Sequence, residues 1–337
     1  MTNQNKAIII SHNADPDGFV SAALIADMLE GKGIKYEIRL TDYPILTETI
    51  TKVAGEVGKI IYIMDLALRP SVVSDELLER LLSHNEVHYF DHHKIEDERK
   101  ELFTRRVKTY VHKIARICTA HLILDYFQMK GVEHKVLAEC AQAVDYGKAS
   151  SEELTKLGVS LGRSLLPESD LKHLEIMAIL IQGLKDPTLW REDYQLTGVL
   201  KKGELKSNKA IDDAILKLER TASVHKITVN NNTSLVLVFA LVPTCLYMKA
   251  GYYELKKKYP EADFCFALYE SVSTFGGVGH ALKNTNLSIL PFLEARGGGG
   301  RNNMGGFVFP TVTDSSSFEE RKNQLLKDLE GYFNNFC

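Results

Sequence analysis

Short runs of β-branched and aromatic residues alternate with longer amphipathic stretches over the first 90 residues of the chain. The stretches between the runs have apolar residues at helical spacing, as at Phe19–Leu29 and at Val72–Leu82, where Ser71 is the expected N-cap. Alternation of this kind predicts a parallel sheet with right-handed crossover connections. The carboxyl ends of its strands are then expected to meet at one edge. The runs lie at residues 7–10, 35–40, 59–64 and 86–90.

The pattern becomes mostly helical after residue 91, and a new β pattern begins near Lys226. We therefore predict an α/β fold with two domains and a connection between them. The domains are an N-terminal parallel-sheet domain at residues 1–190 and a smaller mixed α/β domain at residues 225–337. The connection, residues 191–224, is expected to contain a helix from Ile211 to Ala222. The helices expected before it are Thr119–Met129, Val136–Ala143, with Asp145 just after its end, and Leu171–Leu184.

Composition excludes several classes of protein. The 337 residues carry a net charge of −3, which gives no basic field for a long nucleic-acid duplex. The five cysteines are scattered without a Cys-x-x-Cys pair, so neither a disulfide framework nor a thiolate metal site is indicated. A charged and apolar leader and a bilayer-length apolar stretch are both missing. The expectation is a cytoplasmic protein without a membrane partner, and homodimerisation is left open.

Carboxylates and imidazoles follow three of the predicted strands. Asp15 and Asp17 come after the run at 7–10, Asp65 follows the run at 59–64, and Asp91-His92-His93 follows the run at 86–90. Open α/β sheets bind their ligands at such strand ends. A ligand set of oxygens with some imidazole and no thiolate suits Mn²⁺ or Mg²⁺ better than a structural zinc.

Each of these segments also has a purely structural explanation. Asp15-Pro16-Asp17-Gly18 fits a type I turn, and Asp65 could cap the start of a helix. Asp91-His92-His93 could be an exposed loop, and Asp145 could simply end a helix. The metal site is the better account because several acidic segments occur together, and because Asp65 has apolar neighbours that make an uncompensated charge costly.

In this order, the segments resemble the DHH family of phosphoesterases. The resemblance consists of an Asp-x-Asp-Gly turn, a lone Asp after a later strand, the Asp-His-His triplet, and Asp145 in a Val-Asp-x-Gly context. It extends to the second domain, where Gly298–Phe307 is similar to the Gly-Gly-Gly-His-x-x-Ala-Ala-Gly-Phe motif of the DHH-associated domain. It therefore covers nearly the whole chain.

The resemblance implies two metal ions, expected to be Mn²⁺ with Mg²⁺ as the alternative. One ion would be held by His12, Asp15 and Asp65, and the other by Asp17, His92 and Asp145, with Asp65 bridging the two. His93 would face the scissile phosphate and Asp91 would orient an imidazole. One departure is that many members have His four residues before the first Asp of the turn, whereas Ser11 stands there in this chain and His12 follows it.

The second departure is Arg301, which replaces the usual His of the glycine motif. An arginine can still bind an anion through its planar fork. We interpret this segment as a glycine loop whose amides face phosphate oxygens. Gly276–His280 is expected to be either a second binding loop or a plain turn. The candidate substrate-binding residues are Gly298, Gly299, Gly300, Arg301, Asn302, His280, Lys283 and Arg116.

The expected activity is hydrolysis of short oligonucleotides or small nucleotides by a water that two metal ions activate. Linear dinucleotides and 3′-phosphoadenosine 5′-phosphate are the expected substrates. The alternatives are an exopolyphosphatase, which would use the same ions without a base-stacking surface, and a nucleotide sensor that binds without turnover. A purely structural protein would leave the acidic segments unexplained.

Overall fold

The computed structural model describes residues 6–166, 169, 171–229, 233–242, 248–270, 275–281, 288–296, 299–301, 304–309 and 318–336. The chain divides into two compact units, Met1–Ser207 and Asn208–Cys337. Within the described residues, no helix has both the length and the apolar character needed to cross a membrane.

The first unit is built on a five-stranded sheet in the order β2-β1-β3-β4-β5, with every neighbouring pair parallel. This confirms the predicted α/β architecture. The three strands that precede the acidic segments, β1, β3 and β4, are neighbours at the centre of the sheet. Its strands are β1 (Ala7–His12), β2 (Tyr36–Thr41), β3 (Ile60–Met64), β4 (Glu86–Asp91) and β5 (Thr109–His112).

Helices cover both faces of this sheet, so the central strands are buried on both sides. In β1, Ile9 packs into one hydrophobic core while Ile8 and Ile10 pack into the other. This explains why the strand is a continuous apolar run, as is usual in parallel sheets. The helices are α1 (Pro16–Gly31), α2 (Tyr43–Ala54), α3 (Asp75–His84), α4 (Asp97–Arg106), α5 (Thr119–Phe127), α6 (Val132–Tyr146), α7 (Glu152–Ser164) and α8 (His173–Gly183).

Several predicted boundaries in the first unit were wrong. Ser71 does not cap α3, because the helix begins at Asp75 and the hydroxyl of Ser74 accepts the Leu77 amide at 3.3 Å. The Asp75 carboxylate in the first turn suits that later start, since a helix N-terminus favours negative charge. Asp145 lies in the last turn of α6 rather than after it. The segment after residue 91, predicted to be mostly helical, also contains a strand, β5.

The predicted connection is also more ordered than expected. It contains a short antiparallel pair, β6 (Arg191–Glu192) with β7 (Gln195–Leu196), and a long helix α9 (Gly198–Thr221). The helix begins well before the predicted start at Ile211. The division between the two units falls inside it, after Ser207.

The second unit contains a six-stranded mixed sheet in the order β12-β13-β11-β10-β9-β8. Only β9 and β10 pair in parallel, and the other neighbours are antiparallel. The mixed α/β architecture is therefore as predicted. Its elements are β8 (Ser223–Val229), β9 (Thr233–Val242), α10 (Met248–Lys258), β10 (Phe264–Glu270), β11 (Phe275–Ala281), α11 (Leu290–Glu294), β12 (Gly299–Arg301), β13 (Met304–Phe309) and α12 (Phe318–Phe336).

Candidate metal centre

The candidate ligands of the first unit converge at the carboxyl edge of the central sheet. His12 is the last residue of β1, Asp65 follows β3 directly, and Asp91 ends β4. Because these strands are parallel neighbours, their ends lie side by side. Asp145 reaches the same place from the last turn of α6.

The Asp15–Gly18 turn brings two carboxylates to this edge and starts helix α1. The Asp15 carboxylate caps the helix by accepting the Asp17 amide at 3.1 Å, and Pro16 occupies the first turn. A Cβ atom on Gly18 would collide with the backbone carbonyl of His12. The glycine therefore lets the helix start lie directly against the end of β1, and it keeps Asp17 at the site.

Backbone amides hold the Asp17 carboxylate. The Thr119 amide donates to Oδ2 at 2.7 Å and the Ala120 amide donates to Oδ1 at 2.8 Å, so the N-terminus of α5 binds both oxygens. Asp17 is only 1% exposed. Its orientation is thus fixed by a helix that begins about a hundred residues later in the chain.

Asp65 is the most constrained carboxylate of the cluster. Its backbone is left-handed, with φ of 56°, and its side chain is buried. Asp tolerates this conformation better than most residues. Burial, followed by the charges of Asp17 and Asp15, raises the pKa of Asp65 well above its usual value. A carboxylate held in this environment is stabilised in its charged form by a nearby cation.

His12 lies between carboxylates on both sides of its ring. Nε2 is 3.2 Å from Asp42 Oδ1, while Nδ1 is 3.6 Å from Asp15 Oδ2 and 3.8 Å from Asp65 Oδ2. Burial lowers the pKa of His12, but Asp15 and Asp42 outweigh this effect and raise it to about 10. If Nε2–H donates to Asp42, the lone pair of Nδ1 faces the ligand cluster, so the shifted sequence offset still places a ligand atom there.

The Tyr146 hydroxyl fixes the orientation of His92. It lies 2.8 Å from His92 Nδ1 and donates its single proton to the Ala115 carbonyl at 2.9 Å. It therefore accepts from Nδ1–H, and Nε2 is left unprotonated. That nitrogen lies 3.4 Å from Asp65 Oδ1, 3.5 Å from Asp145 Oδ2 and 3.8 Å from Asp17 Oδ2.

His93 has a different environment from His92. Its Nδ1 is 2.8 Å from Asp91 Oδ1, and Asp91 is fully buried with its other oxygen 2.7 Å from the Tyr89 hydroxyl. Burial lowers the pKa of His93, but the charge and hydrogen bond of Asp91 outweigh this and raise it. Since Asp91 occupies Nδ1, Nε2 is the atom of His93 that remains for a ligand.

The ligand atoms form three groups, each with its members within 4.8 Å of one another. Two buried atoms of these groups, Nδ1 of His12 and Oδ2 of Asp65, have no hydrogen-bond partner among the described residues. Unpaired buried polar atoms surrounded by carboxylates fit cation binding. The groups are His12 with Asp15 and Asp65, Asp17 with His92 and Asp145, and Asp65 with His92 and His93.

The candidate substrate-binding residues belong to both units. Arg116 is exposed on the loop before α5. The predicted glycine loops are strands: Gly276–His280 lies within β11, and Gly299–Arg301 is the edge strand β12. Glycine is disfavoured in strands, although it allows close backbone approach there, so a glycine-rich segment predicts a loop even where it pairs as a strand. Gly298, Asn302 and Lys283 lie outside the described residues.

The strand register still relates two of these candidates. Arg301 pairs with Met304, and Met304 pairs with His280 across the next strand. The two residues thus occupy one rung of the sheet of the second unit.

Sequence reasoning did not identify four contacts of the centre: the amides of Thr119 and Ala120, the Tyr146 hydroxyl, and Asp42. The amides have no side-chain signal, and Tyr146 was noted only as part of the Val-Asp-x-Gly context. Asp42 was detectable in principle, because it follows a predicted strand just as Asp65 does.

Neither a protein-family model nor a curated protein matches the sequence. Solved structures do match. A pGpG-specific phosphodiesterase, PggH from Vibrio cholerae, is 14% identical, with a TM-score of 0.56 and coverage of 98% of this chain and 99% of its own. An exopolyphosphatase-related protein from Bacteroides fragilis is 13% identical, with a TM-score of 0.55 and coverage of 98% and 92%.

RecJ from Thermus thermophilus, in complex with Mn²⁺, is 12% identical with a TM-score of 0.60. The match covers 99% of this chain and 53% of RecJ. At these identities the likeness concerns the fold. The chain therefore has the fold shared by these structures, which is the fold that its resemblance to the DHH family implies.

Proposed function

We propose that the chain is a divalent-metal-dependent phosphoesterase that hydrolyses short oligonucleotides or small nucleotides. The observation that carries the proposal is the position of Asp65 between two ligand groups. Its Oδ2 lies 3.8 Å from His12 Nδ1, and its Oδ1 lies 3.4 Å from His92 Nε2. A shared ligand of this kind suits two neighbouring cations, which a single-ion site does not require.

The residues of the first unit divide into ligands and supports in this proposal. His12, Asp15 and Asp65 would hold one ion, and Asp17, His92 and Asp145 the other, with Asp65 between them. When bound, such ions lower the pKa of a water and neutralise charge on phosphate oxygens. Asp91, which contacts Nδ1 of His93 at 2.8 Å, would orient the ring so that Nε2 faces the scissile phosphate. RecJ structures are described with Mn²⁺ and with Mg²⁺, and we propose Mn²⁺ with Mg²⁺ as the alternative.

A nucleotide substrate is supported by two of the matched proteins, since PggH is described as specific for pGpG and RecJ as an exonuclease. The second unit is proposed to bind the rest of the substrate. Arg301 and His280, which share one rung of its sheet, are the candidate residues there. Arginine recognises phosphate through paired donors, so its replacement of the usual histidine retains an anion-binding group.

Exopolyphosphatase activity is the second candidate, because the Bacteroides fragilis structure is described as exopolyphosphatase-related. It would use the same ligands, but its substrate has no base. The products separate the two activities: nucleoside monophosphates are released from a dinucleotide, and inorganic phosphate from polyphosphate.

The test is a hydrolysis panel with Mn²⁺ and with Mg²⁺ on linear dinucleotides, 3′-phosphoadenosine 5′-phosphate, a cyclic dinucleotide and polyphosphate. We expect the highest kcat/KM on a linear dinucleotide or the bisphosphate. Asp17→Ala and Asp17→Asn are expected to abolish the metal-dependent rate. Asp97→Asn is the matched control, since its carboxylate is 88% exposed and pairs with Lys100 at the surface.

The outcomes test the ligand assignment and distinguish the alternative functions. Full activity in Asp17→Asn would refute the ligand assignment. Nucleotide binding without turnover in the unmodified protein would favour the sensor alternative, and phosphate release from polyphosphate alone would favour the exopolyphosphatase.

A further inference from the structure

A groove of about 450 Å³ lies directly beside the candidate metal centre in the first unit. Its lining includes Arg116, His121, Glu139, Gln142, Tyr146 and Lys148. Tyr146 belongs to both places, because its hydroxyl contacts Nδ1 of His92 at 2.8 Å while its side chain forms part of the groove. A group bound in the groove would thus be one side chain away from a proposed metal ligand.

Helix α6 fixes the loop that carries Arg116. Gln142 accepts the Cys118 amide at 2.9 Å and donates to the Arg116 carbonyl at 3.1 Å. One turn later, Tyr146 donates to the Ala115 carbonyl at 2.9 Å. The same loop leads into the start of α5, whose amides hold Asp17. The groove is therefore rigidly connected to the ligand cluster, as a preorganised binding site requires.

The groove is lined by two cationic side chains, Arg116 and Lys148, and by one carboxylate. Its carboxylate, Glu139, accepts the Ser150 amide at 2.5 Å and lies 3.4 Å from Nε2 of His121. Arg116 and Lys148 are both exposed, and neither forms an ion pair with any residue that the structure describes. They come from different segments, before α5 and after α6, and meet at the same groove.

We propose that this groove is a subsite for a second phosphate group of the substrate, next to the one that is hydrolysed. The proposal rests on the proposed function and narrows its substrate class to nucleotides with two phosphate groups close together. Arg116 supplies paired donors and Lys148 a point charge, and proteins use both to bind phosphate. Linear dinucleotides with a terminal phosphate and nucleoside bisphosphates have this chemistry.

The arrangement differs from an ordinary solvated surface. The neighbouring centre concentrates carboxylates, which repel a polyanionic substrate wherever the ions do not compensate them. A cationic groove at its rim offsets that repulsion for the part of the substrate that the ions do not contact. Among the described residues, the Glu139 carboxylate contacts the Ser150 amide and His121 and forms no ion pair with either cation.

The test compares one linear dinucleotide sequence with a 5′-phosphate, with a 3′-phosphate and with neither. We expect the unmodified protein to prefer one of the phosphorylated forms. In Arg116→Gln/Lys148→Gln, the ratio of kcat/KM between that form and the unphosphorylated one should fall roughly tenfold, chiefly through KM. Lys130→Gln/Lys156→Gln is the charge-matched control, because both lysines are exposed and lie outside the groove.

Binding of the same three dinucleotides in EDTA, measured by calorimetry, tests the groove without turnover. The double variant should again lose roughly tenfold in affinity for the preferred form. An unchanged preference in the double variant, an equal loss on all three dinucleotides, or no preference in the unmodified protein overturns the subsite. Failure to hydrolyse any of the panel is a different result, since it rejects the proposed function while the EDTA measurement still decides on the groove.

Discussion

The hydroxyl of Tyr146 lies 2.8 Å from Nδ1 of His92 and 2.9 Å from the carbonyl of Ala115. With a single proton, the hydroxyl donates to the carbonyl and accepts from the imidazole. The contact therefore selects the tautomer of His92 in which Nε2, the atom nearest to three carboxylates, has a free lone pair.

Tyr146→Phe should weaken metal binding without unfolding the protein. The change removes the acceptor for Nδ1–H and leaves the ring in place, and the loss of such an orienting contact typically costs ~10–100-fold in metal affinity or activity. Titration of the hydrolytic rate with Mn²⁺ measures it. Tyr194→Phe is the control, because Tyr194 is exposed and lines a different groove, whose lining contains none of the candidate ligands. Equal Mn²⁺ dependence in both variants would argue against the tautomer assignment.

Asp65→Asn should raise the stability of the metal-free protein and abolish its activity. Burial and the neighbouring carboxylates raise the pKa of Asp65 above its value in the unfolded chain, so this carboxyl group lowers the stability of the metal-free fold at neutral pH. The stability associated with its protonated form is present at low pH and is lost as pH rises. Asn keeps the shape and tolerates the left-handed backbone, with φ of 56°.

We therefore expect metal-free Asp65→Asn to melt at a higher temperature than the unmodified protein at pH 7, with the gap closing below about pH 4. Addition of Mn²⁺ should stabilise the unmodified protein and leave the variant nearly unchanged, and hydrolysis by the variant should be lost. Thermal melts with EDTA and with Mn²⁺ measure both effects. A variant that is less stable than the unmodified protein in EDTA would contradict the electrostatic argument.

Gly18→Ala should damage both the fold and the site. The added Cβ collides with the backbone carbonyl of His12, so the start of α1 must move away from β1 and carry Asp17 with it. Gly31→Ala at the other end of α1 is the matched control, since a Cβ there meets no atom within 4 Å and should gain up to about 1 kcal/mol of helix stability. Chemical denaturation and Mn²⁺-dependent rates should show a loss for the first variant only.

Asp91→Asn should move the titration of His93 to lower pH. Asp91 is the group that raises the His93 pKa against the effect of burial, and Asn removes the charge but retains an acceptor for Nδ1–H. His93 would then lose its proton at a lower pH. NMR titration of the metal-free protein measures the pKa, and the basic limb of the pH–rate profile should shift in the same direction if protonated His93 contacts the phosphate. An unshifted His93 titration would show that Asp91 does not control it.

The positions of the candidate ligands were predictable because a parallel sheet imposes them. Once β1, β3 and β4 are recognised, the residues that follow them must lie at one edge. The topology of the sheet therefore brings His12, Asp65 and His92 together. The alternating β and helical patterns of the sequence predict that topology. His12 stands three residues before Asp15 instead of the usual four, but this spacing does not change the geometry. His12 ends β1, and its Nδ1 faces Asp15 and Asp65.

The contacts that orient those ligands were not predictable in the same way. The partner of His92 depends on how α6 packs against the loop before α5, and the packing leaves no local signal near Tyr146. The prediction of loops at the glycine segments was wrong for a related reason. Gly276–His280 and Gly299–Arg301 have a loop-like composition, but the strands beside them, β10 and β13, provide pairing that overrides local preference.

The amides that hold Asp17 can be tested with a backbone substitution. Thr119→Pro removes the amide that donates to Asp17 Oδ2 at 2.7 Å, along with the hydroxyl 3.3 Å from Asp65. The first position of α5 accepts proline, because Cys118 before it is extended, with ψ of 162°. Thr119→Ala removes only the hydroxyl and is the matched control.

We expect Thr119→Pro to lower Mn²⁺ affinity at least ~10-fold more than Thr119→Ala, since the freed Asp17 carboxylate loses its fixed orientation. Equal affinities in the two folded variants, measured by calorimetry with Mn²⁺, would mean that the α5 amide does not position Asp17.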